Sequence, residues 1–372
     1  MFQSAVFSTN TAIVCIYNNY ESAAVTYKIK EEQNMSKTSI CDVAKIAEVS
    51  IATVSRTFAH PEKVSAITRK KVIKAAEQLD FTVSRTAGVL KSGKSYRIAL
   101  LLGSSKIEWF SASIIEGLNY TFHKAGYDLV IYSIDGVEKR KKFFKELPLR
   151  GNTDAVIVSS FDISNAEAEQ LKRIKVPIVG INCTASKILS ASIGIDDAAG
   201  IKLAIQHLLK LGHKNLLYVY EFFCTPLRFS SARRITGFEN VCNSVEGVQG
   251  KVLPINIGDD PVNVTISEIF SSSNPPTALC FHQDSTAIPF LFMLQKLGIR
   301  VPEDLSIIGF DDSTFAKEVG LTTIRQNPKL MAEQAGNMAL SLIDNQNISR
   351  KRITPSLQLI IRNSTALSPS KT

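Results

Sequence analysis

Residues 42–58 read DVAKIAEVSIATVSRTF, and the spacing of their apolar side chains decides the N-terminal fold. Together with the preceding Ile40, Val43, Ala44 and Ala47 recur at i, i+3, i+4 and i+7, one face of a short helix. Ser39 stands before that helix and Asp42 three residues on, the pattern in which side-chain oxygens take up the first free backbone N–H groups. The chain then turns, and Ser50 caps a second short helix whose Ile51, Val54 and Phe58 are expected to face inward. His60-Pro61 ends it, because proline has no N–H and restricts its predecessor. Ser65 opens a third helix with Val72, Ala75, Ala76 and Leu79 as its inner stripe. Two short helices joined by a tight turn and closed by a third predict a small all-α helix-turn-helix domain over residues 35–81.

In such a unit the second helix enters the DNA major groove, its N-terminal residues toward the bases. The outward positions here are Ala52, Thr53, Ser55 and Arg56, with Ile51 at the rim. The Arg56 guanidinium matches guanine O6 and N7 or a phosphate, and Ile51 and Ala52 match a thymine methyl. Ser39, Ser65, Thr68 and Arg69 stand at helix starts, where hydroxyls and N–H groups hold phosphates. Charge agrees. Residues 35–95 hold eleven Lys or Arg against five Asp or Glu, whereas residues 1–34 hold two against three. Concentrated positive charge attracts polyanions by releasing their counterions. A three-helix bundle with a merely solvated basic face is the plainer alternative.

The run at 42–58, followed by VSAITRKKVIKAAEQLDF at 64–81, resembles the DNA-binding headpiece of the lactose-repressor (LacI/GalR) family. The resemblance implies that Thr53, Ser55 and Arg56 contact DNA and that Ile51 and Ala52 are the variable pair setting operator preference. Glu48 departs from it, standing in the turn where the family often has Gly; a left-handed backbone there would cost Glu on the order of 1 kcal/mol. The polar stretch TVSRTAGVLKSGKS, residues 82–95, reads by composition as a linker. The resemblance makes it a hinge that folds on operator DNA, with Leu90 wedged into the minor groove. Val83-Ser84 and Gly88 depart from the family pattern, and glycine makes a helix harder to order.

Beyond Ser95 the pattern changes to short apolar runs: IALLLG (98–103), DLVIYS (128–133), AVIVSS (155–160), VPIVGIN (176–182), LLYVY (216–220), ALCFH (278–282) and LSIIGF (305–310). Amphipathic helices are expected between them, at 111–125, 198–211, 232–242 and 285–297. Continuous apolar strands with helical crossovers predict parallel sheets covered on both faces, which bind ligands at the carboxyl ends of their strands. The fold class is therefore α/β with two sheets and a cleft between them.

Enzyme and cofactor signals are missing: there is no G-x-G-x-x-G, no Walker A loop and no G-x-S-x-G elbow. The five histidines lack metal-ligand spacing, and the six cysteines contain no C-x-x-C, so neither metal nor disulfide framework is indicated. His207 and His213, which flank a helix end, are expected to be structural, with Gly212 placed just after that helix. The chain is 372 residues long, 45% apolar and 21% charged, with mean hydropathy +0.06 and net charge +9. No apolar run approaches a membrane span and no signal peptide is evident, so a cytoplasmic protein is expected.

The resemblance continues in order over residues 38–366, through SIGIDDAAGIKLAIQHLLKLGHKNLLYV (192–219), ARRITGF (232–238), LGIRVPEDLSIIGFDD (297–312), LTTIRQN (321–327) and LIIRNST (359–365). It implies a sensor resembling periplasmic sugar-binding proteins, two lobes joined by crossovers near 193–196, 325–328 and 355. It also implies an effector pocket. Arg234 falls on an arginine that contacts effector oxygens, Asp311 on a cleft carboxylate, and Asn182 and Gln283 on further cleft positions. Trp109 or Phe110, placed in the loop after the first strand, supplies an apolar face for a sugar ring. Helices at 111–125 and 329–344 resemble those that form the family's homodimer, and no heptad repeat follows Thr365 to join dimers into tetramers.

The organisation expected is a tail at 1–34 (with translation beginning at Met35), the helix-turn-helix domain at 35–81, the hinge at 82–95, the sensor at 96–366 and a short tail at 367–372. The function expected is a DNA-binding transcriptional regulator, mainly a repressor, on pseudo-palindromic double-stranded operator DNA under control of a small carbohydrate-like effector. A solute-binding module with no DNA role and a silencer that ignores effectors are the alternatives.

Overall fold

The computed structural model describes residues 38–81, 93–147, 149, 151–183, 187–222, 232–256, 261–271 and 273–369. The expected tail at 1–34, Leu90 with most of the hinge, and the last three residues of the 367–372 tail lie outside the described residues. The chain divides into two compact units, residues 1–93 and 94–372.

In the first unit, helix α1 (Ile40–Ile46) begins where Asp42 Oδ2 accepts from the Ser39 N–H at 3.0 Å and from its hydroxyl at 2.6 Å. Helix α2 (Ile51–Ala59) is capped by Ser50, whose Oγ accepts the Thr53 N–H at 3.2 Å; Pro61 opens a single 3₁₀ turn beyond it. Ser65 caps α3 (Ala66–Gln78) in the same way through Thr68. Val43, Ala44, Ala47, Val54, Val72, Ala75 and Ala76 form the core, with Leu79 and Phe81 at its edge. Glu48 sits in the turn between α1 and α2 at φ 53°, the left-handed conformation that favours glycine.

The inner face of α2 differs from the expectation. Phe58 is 37% exposed and Ile51 49%, while Thr57 is buried. Val54 and Thr57 are three residues apart and share the inner side; the Thr57 hydroxyl donates to the Thr53 carbonyl at 2.8 Å, so its burial leaves no polar group unmet. Phe58, one residue further round, reaches only the rim, where its ring lies 6.2 Å from that of Phe81.

The second unit holds two six-stranded sheets. One has the order β11-β5-β4-β3-β1-β2, built from β1 (Arg97–Leu102), β2 (Asp128–Ser133), β3 (Ala155–Ser159), β4 (Ile178–Ile181), β5 (Ala191–Ile193) and β11 (Arg352–Ile353), all parallel. The other has the order β12-β10-β9-β8-β6-β7, built from β6 (Asn215–Phe222), β7 (Gln249–Asn256), β8 (Ala278–Phe281), β9 (Ser306–Asp311), β10 (Thr322–Arg325) and β12 (Gln358–Ile360). Its edge strand β12 runs antiparallel to β10, the one departure from parallel pairing among the described strands.

The interleaved helices are α4 (Trp109–Lys124), α5 (Val137–Glu146), α6 (Asn165–Lys172), α7 (Asp197–Lys210), α8 (Ala232–Asn243), α9 (Pro261–Phe270), α10 (Asp284–Lys296) and α11 (Pro328–Ile343). Since β5 and β6, β10 and β11, and β11 and β12 belong to different sheets, the chain passes between lobes after Ile193, after Arg325 and after Ile353.

Alternation along β1 explains the layering. Ile98, Leu100 and Leu102 face one cluster and Ala99 and Leu101 the other, so the strand is buried on both sides. The first cluster continues through Ile195 and Ile201 to Leu216, Phe238 and Phe310 of the second lobe. Helices α4 and α11 pack so closely that a Cβ on Gly117 would lie 2.8 Å from the Ala332 Cβ, and one on Gly336 would lie 2.9 Å from a Thr121 methyl. Behind α7, Gly212 takes φ 85° and His213 is buried, its Nε2 donating to the Ala366 carbonyl at 3.0 Å.

Candidate DNA interface and ligand cleft

On α2 the side opposite Val54 is open: Ile51, Ala52, Ser55 and Arg56 are exposed and Thr53 is half-buried. The Thr53 hydroxyl lies 2.9 Å from Ser50 Oγ, so it is held within the cap. Ser39 and Ser65 are exposed at the starts of α1 and α3, and the Thr68 hydroxyl pairs with Ser65 Oγ at 2.8 Å. Arg69 donates to the Pro61 carbonyl at 3.4 Å. The structure therefore brings Ile51, Ala52, Ser55 and Arg56 onto one exposed face, with hydroxyls at two neighbouring helix starts.

The cleft forms where strand ends of the two lobes approach. Trp109 and Phe110 do not lie in a loop. They form the first turn of α4, because the Glu108 N–H donates to Ser111 Oγ at 2.9 Å and starts the helix two residues earlier than the sequence pattern suggests. Phe110 packs against the inter-lobe core and Trp109 is half-buried. Asn182 follows β4 at φ 50°, and its Oδ1 accepts the Ile195 N–H at 3.0 Å, tying the strand end to the first crossover.

In the second lobe, Arg234 on α8 is buried. Its Nε–H donates to Asp197 Oδ1 at 2.7 Å, Nη1 donates to the His282 carbonyl, and the guanidinium lies 3.6 Å above the centre of the Phe310 ring. Asp311 ends β9 with Oδ1 3.8 Å from Arg234 Nη1, and it accepts from Gln326 Nε2 at 2.6 Å. Burial raises the Asp311 carboxyl well above the usual range despite Arg234, with Asp284 adding like charge. Asp284 is raised by burial too. It is occupied structurally, accepting from the Thr323 hydroxyl at 2.7 Å and the Ser313 N–H at 2.8 Å. Gln283 occupies the cap position of α10 and is half-buried.

Sequence reasoning missed four groups here. Asp197, in the acidic pair that follows β5, holds Arg234; its Oδ2 has no hydrogen-bond partner among the described residues and lies 3.8 Å from Arg233 Nη2. Gln326 joins Asp311 to the second crossover and lines a cavity of about 340 Å³ beside it with Ile195, Met331 and Pro355. Glu221, at the end of β6, accepts from the Thr286 hydroxyl at 2.8 Å. Burial raises its carboxyl, and it lies within electrostatic reach of Glu108 and Lys106 of the other lobe. His282 is buried, and burial with the nearby Arg234 pushes it down to about 3, leaving a neutral imidazole at neutral pH. Only the Asp-Asp pair after a strand gave a visible sequence signal.

Among the described residues no group of three or more His, Cys, Asp or Glu could hold a metal ion, and no helix is long and apolar enough to cross a membrane. DNA-reading helices ahead of a two-lobed binding-protein fold define a class, the transcriptional regulator with a sensor domain. The signature of "bacterial regulatory proteins, lacI family" matches residues 39–86, and that of a "periplasmic binding protein-like domain" matches residues 205–365. The chain thus carries a lacI-family DNA-binding signature followed by a periplasmic binding protein-like domain, and it is similar over most of its length to regulators of that kind. It is 27% identical over 336 residues to the HTH-type transcriptional repressor PurR of Vibrio vulnificus, covering 87% of this chain and 97% of that protein. It is 28% identical over 313 residues to the HTH-type transcriptional regulator GalR of Escherichia coli, covering 82% of this chain and 90% of that protein. In fold it is similar to the lac repressor (TM-score 0.75, 23% identity, 89% of this chain and 100% of that one).

Proposed function

We propose that the protein represses transcription as a homodimer on a pseudo-palindromic double-stranded operator, and that a small carbohydrate-like effector in the cleft sets its operator affinity. The observation that carries this reading is the open face of α2, where Arg56 stands exposed beside Ala52 and Ser55 while Val54 and Thr57 hold the opposite side in the core. Thr53, Ser55 and Arg56 contact DNA, Ile51 and Ala52 set operator preference, and Ser39, Ser65, Thr68 and Arg69 hold phosphates. Leu90 serves as the minor-groove wedge.

In the cleft, Arg234 and Asp311 hydrogen-bond effector oxygens, Trp109 or Phe110 stacks on its apolar face, and Asn182 and Gln283 complete the wall. The similar lac repressor was solved as a dimer bound to operator and an anti-inducer, and the regulator CelR, similar in fold (TM-score 0.62, 22% identity, 88% of this chain and 99% of that one), as a cellobiose complex. Exposed Tyr120 on α4, Phe292 on α10 and Phe315 beyond β9 offer apolar surface for a second subunit. The domain limits follow the sequence, 35–81, 82–95 and 96–366. The protein acts in the cytoplasm by binding rather than by catalysis, with effector and DNA linked reciprocally by about 1–3 kcal/mol.

The test is selection from a pool of random duplexes at two salt concentrations. Enrichment of a pseudo-palindrome supports the reading. Binding that is only salt-sensitive and sequence-blind would refute it.

A further inference from the structure

We propose that Lys94 and Asp344 are a positioning pair through which the sensor domain holds the base of the DNA-binding linker, and that α11 joins this pair to the ligand cleft. The proposal rests on the regulator reading above. Lys94 is the first residue of the second unit, where the segment leading from the helix-turn-helix domain arrives. Its Nζ donates to Asp344 Oδ1 at 2.9 Å, at the C-terminal end of α11, and it also bonds to the Tyr127 hydroxyl. The next two residues are clamped separately: Asp154 accepts the Ser95 N–H at 2.8 Å and the Tyr96 N–H at 2.7 Å, just before β3. The arriving chain is thus fixed to the sheet by Asp154 and to α11 by Lys94.

The opposite end of α11 meets the cleft. Asn327 caps it, its Oδ1 accepting the Leu330 N–H at 3.0 Å. The residue before, Gln326, donates its amide to Asp311 at 2.6 Å. Sixteen helical residues span about 24 Å, and a helix transmits displacement as a stiff element. The close packing at Gly117 and Gly336 leaves α11 no room to slide without repacking. A change at Asp311 therefore has one continuous rigid route to the linker's base. The Lys94 and Asp344 side chains are 37% and 54% exposed, so their bridge adds little to the stability of the fold. A weak, exposed contact at that place suits control better than support.

The experiment uses the full chain and the duplex that it selects from the random pool, and reads the ratio of affinity for that duplex over random duplex. Taking the ratio removes the general electrostatic effect of a changed charge. Lys94→Glu and Asp344→Lys are each expected to lower the ratio about fivefold, the low end of ordinary coupling between sites. The exchanged double variant is expected to restore it, with melting temperatures unchanged throughout; if either reversal disturbs the fold, Lys94→Met and Asp344→Asn take its place. Gln326→Met, which cuts the tie at the other end of α11, is expected to change the same ratio. Combined with Asp344→Lys it should fall short of the two effects multiplied. Single variants with the wild-type ratio, an exchange that fails to restore it, or independent effects of Gln326→Met and Asp344→Lys would overturn the proposal. Failure of the wild-type protein to select any duplex would instead sink the regulator reading, and this proposal with it.

Discussion

Arg234 donates its Nε–H to Asp197 Oδ1 at 2.7 Å, with both side chains almost wholly buried. The Arg234 guanidinium is therefore oriented and charge-balanced by the fold itself. Removing one partner of such a pair leaves the other as an uncompensated buried charge. Asp197→Ala is expected to lower the stability of the sensor domain by about 3–5 kcal/mol, and Asp197→Asn, which keeps an acceptor for the Nε–H, by less. Urea unfolding curves measure this. An unchanged midpoint for the alanine variant would show that water already compensates Arg234.

Arg56 is exposed, so its loss leaves the core of the first domain untouched. Arg56→Ala is expected to remove about 1–3 kcal/mol of discrimination between the selected duplex and random DNA. Competition binding reads the difference. A uniform loss on both duplexes would make Arg56 a phosphate contact only.

Glu48 holds φ 53° in the turn of the helix-turn-helix. Relief of left-handed strain is worth about 1–2 kcal/mol, and glycine's extra freedom in the unfolded chain takes back part of it. Glu48→Gly is thus expected to stabilise the first domain by about 0.5–1 kcal/mol. Slower amide exchange at Val43 and Val54 would register the gain, and faster exchange would contradict it.

The His282 imidazole is pushed down to about 3 by burial and by the nearby Arg234. A depressed histidine favours folding fully above its ordinary value of 6.5, and that contribution is lost as pH falls from there toward about 3. The wild-type protein should therefore lose stability over this range faster than His282→Gln, whose side chain does not take up a proton. Thermal unfolding of the two proteins across that window should diverge; parallel curves would mean that His282 reaches water.

The first domain was legible because its pattern is local. Caps at Ser39, Ser50 and Ser65 and an i, i+3, i+4 stripe lie within a few residues of one another. The continuous apolar runs likewise marked the central strands. Strands β5 and β11, three and two residues long, carry no period of their own and form only because neighbours pair with them. Helix α5 is dominated by charge, and only Phe143 and Phe144 enter its core. In the cleft, Arg234 and Asp311 could be named from their motifs. The bond from Arg234 to Asp197, 37 residues away, could not, since no local spacing encodes a contact made by folding.

Because β11 and α11 belong to the first lobe but lie at residues 328–353, that lobe stays incomplete until almost the whole chain has left the ribosome. The helix-turn-helix core ends by residue 81 and needs nothing that comes later. During synthesis the helices of the first domain thus reach their final packing well before the sensor is complete. A nascent or truncated chain would present them without regulation.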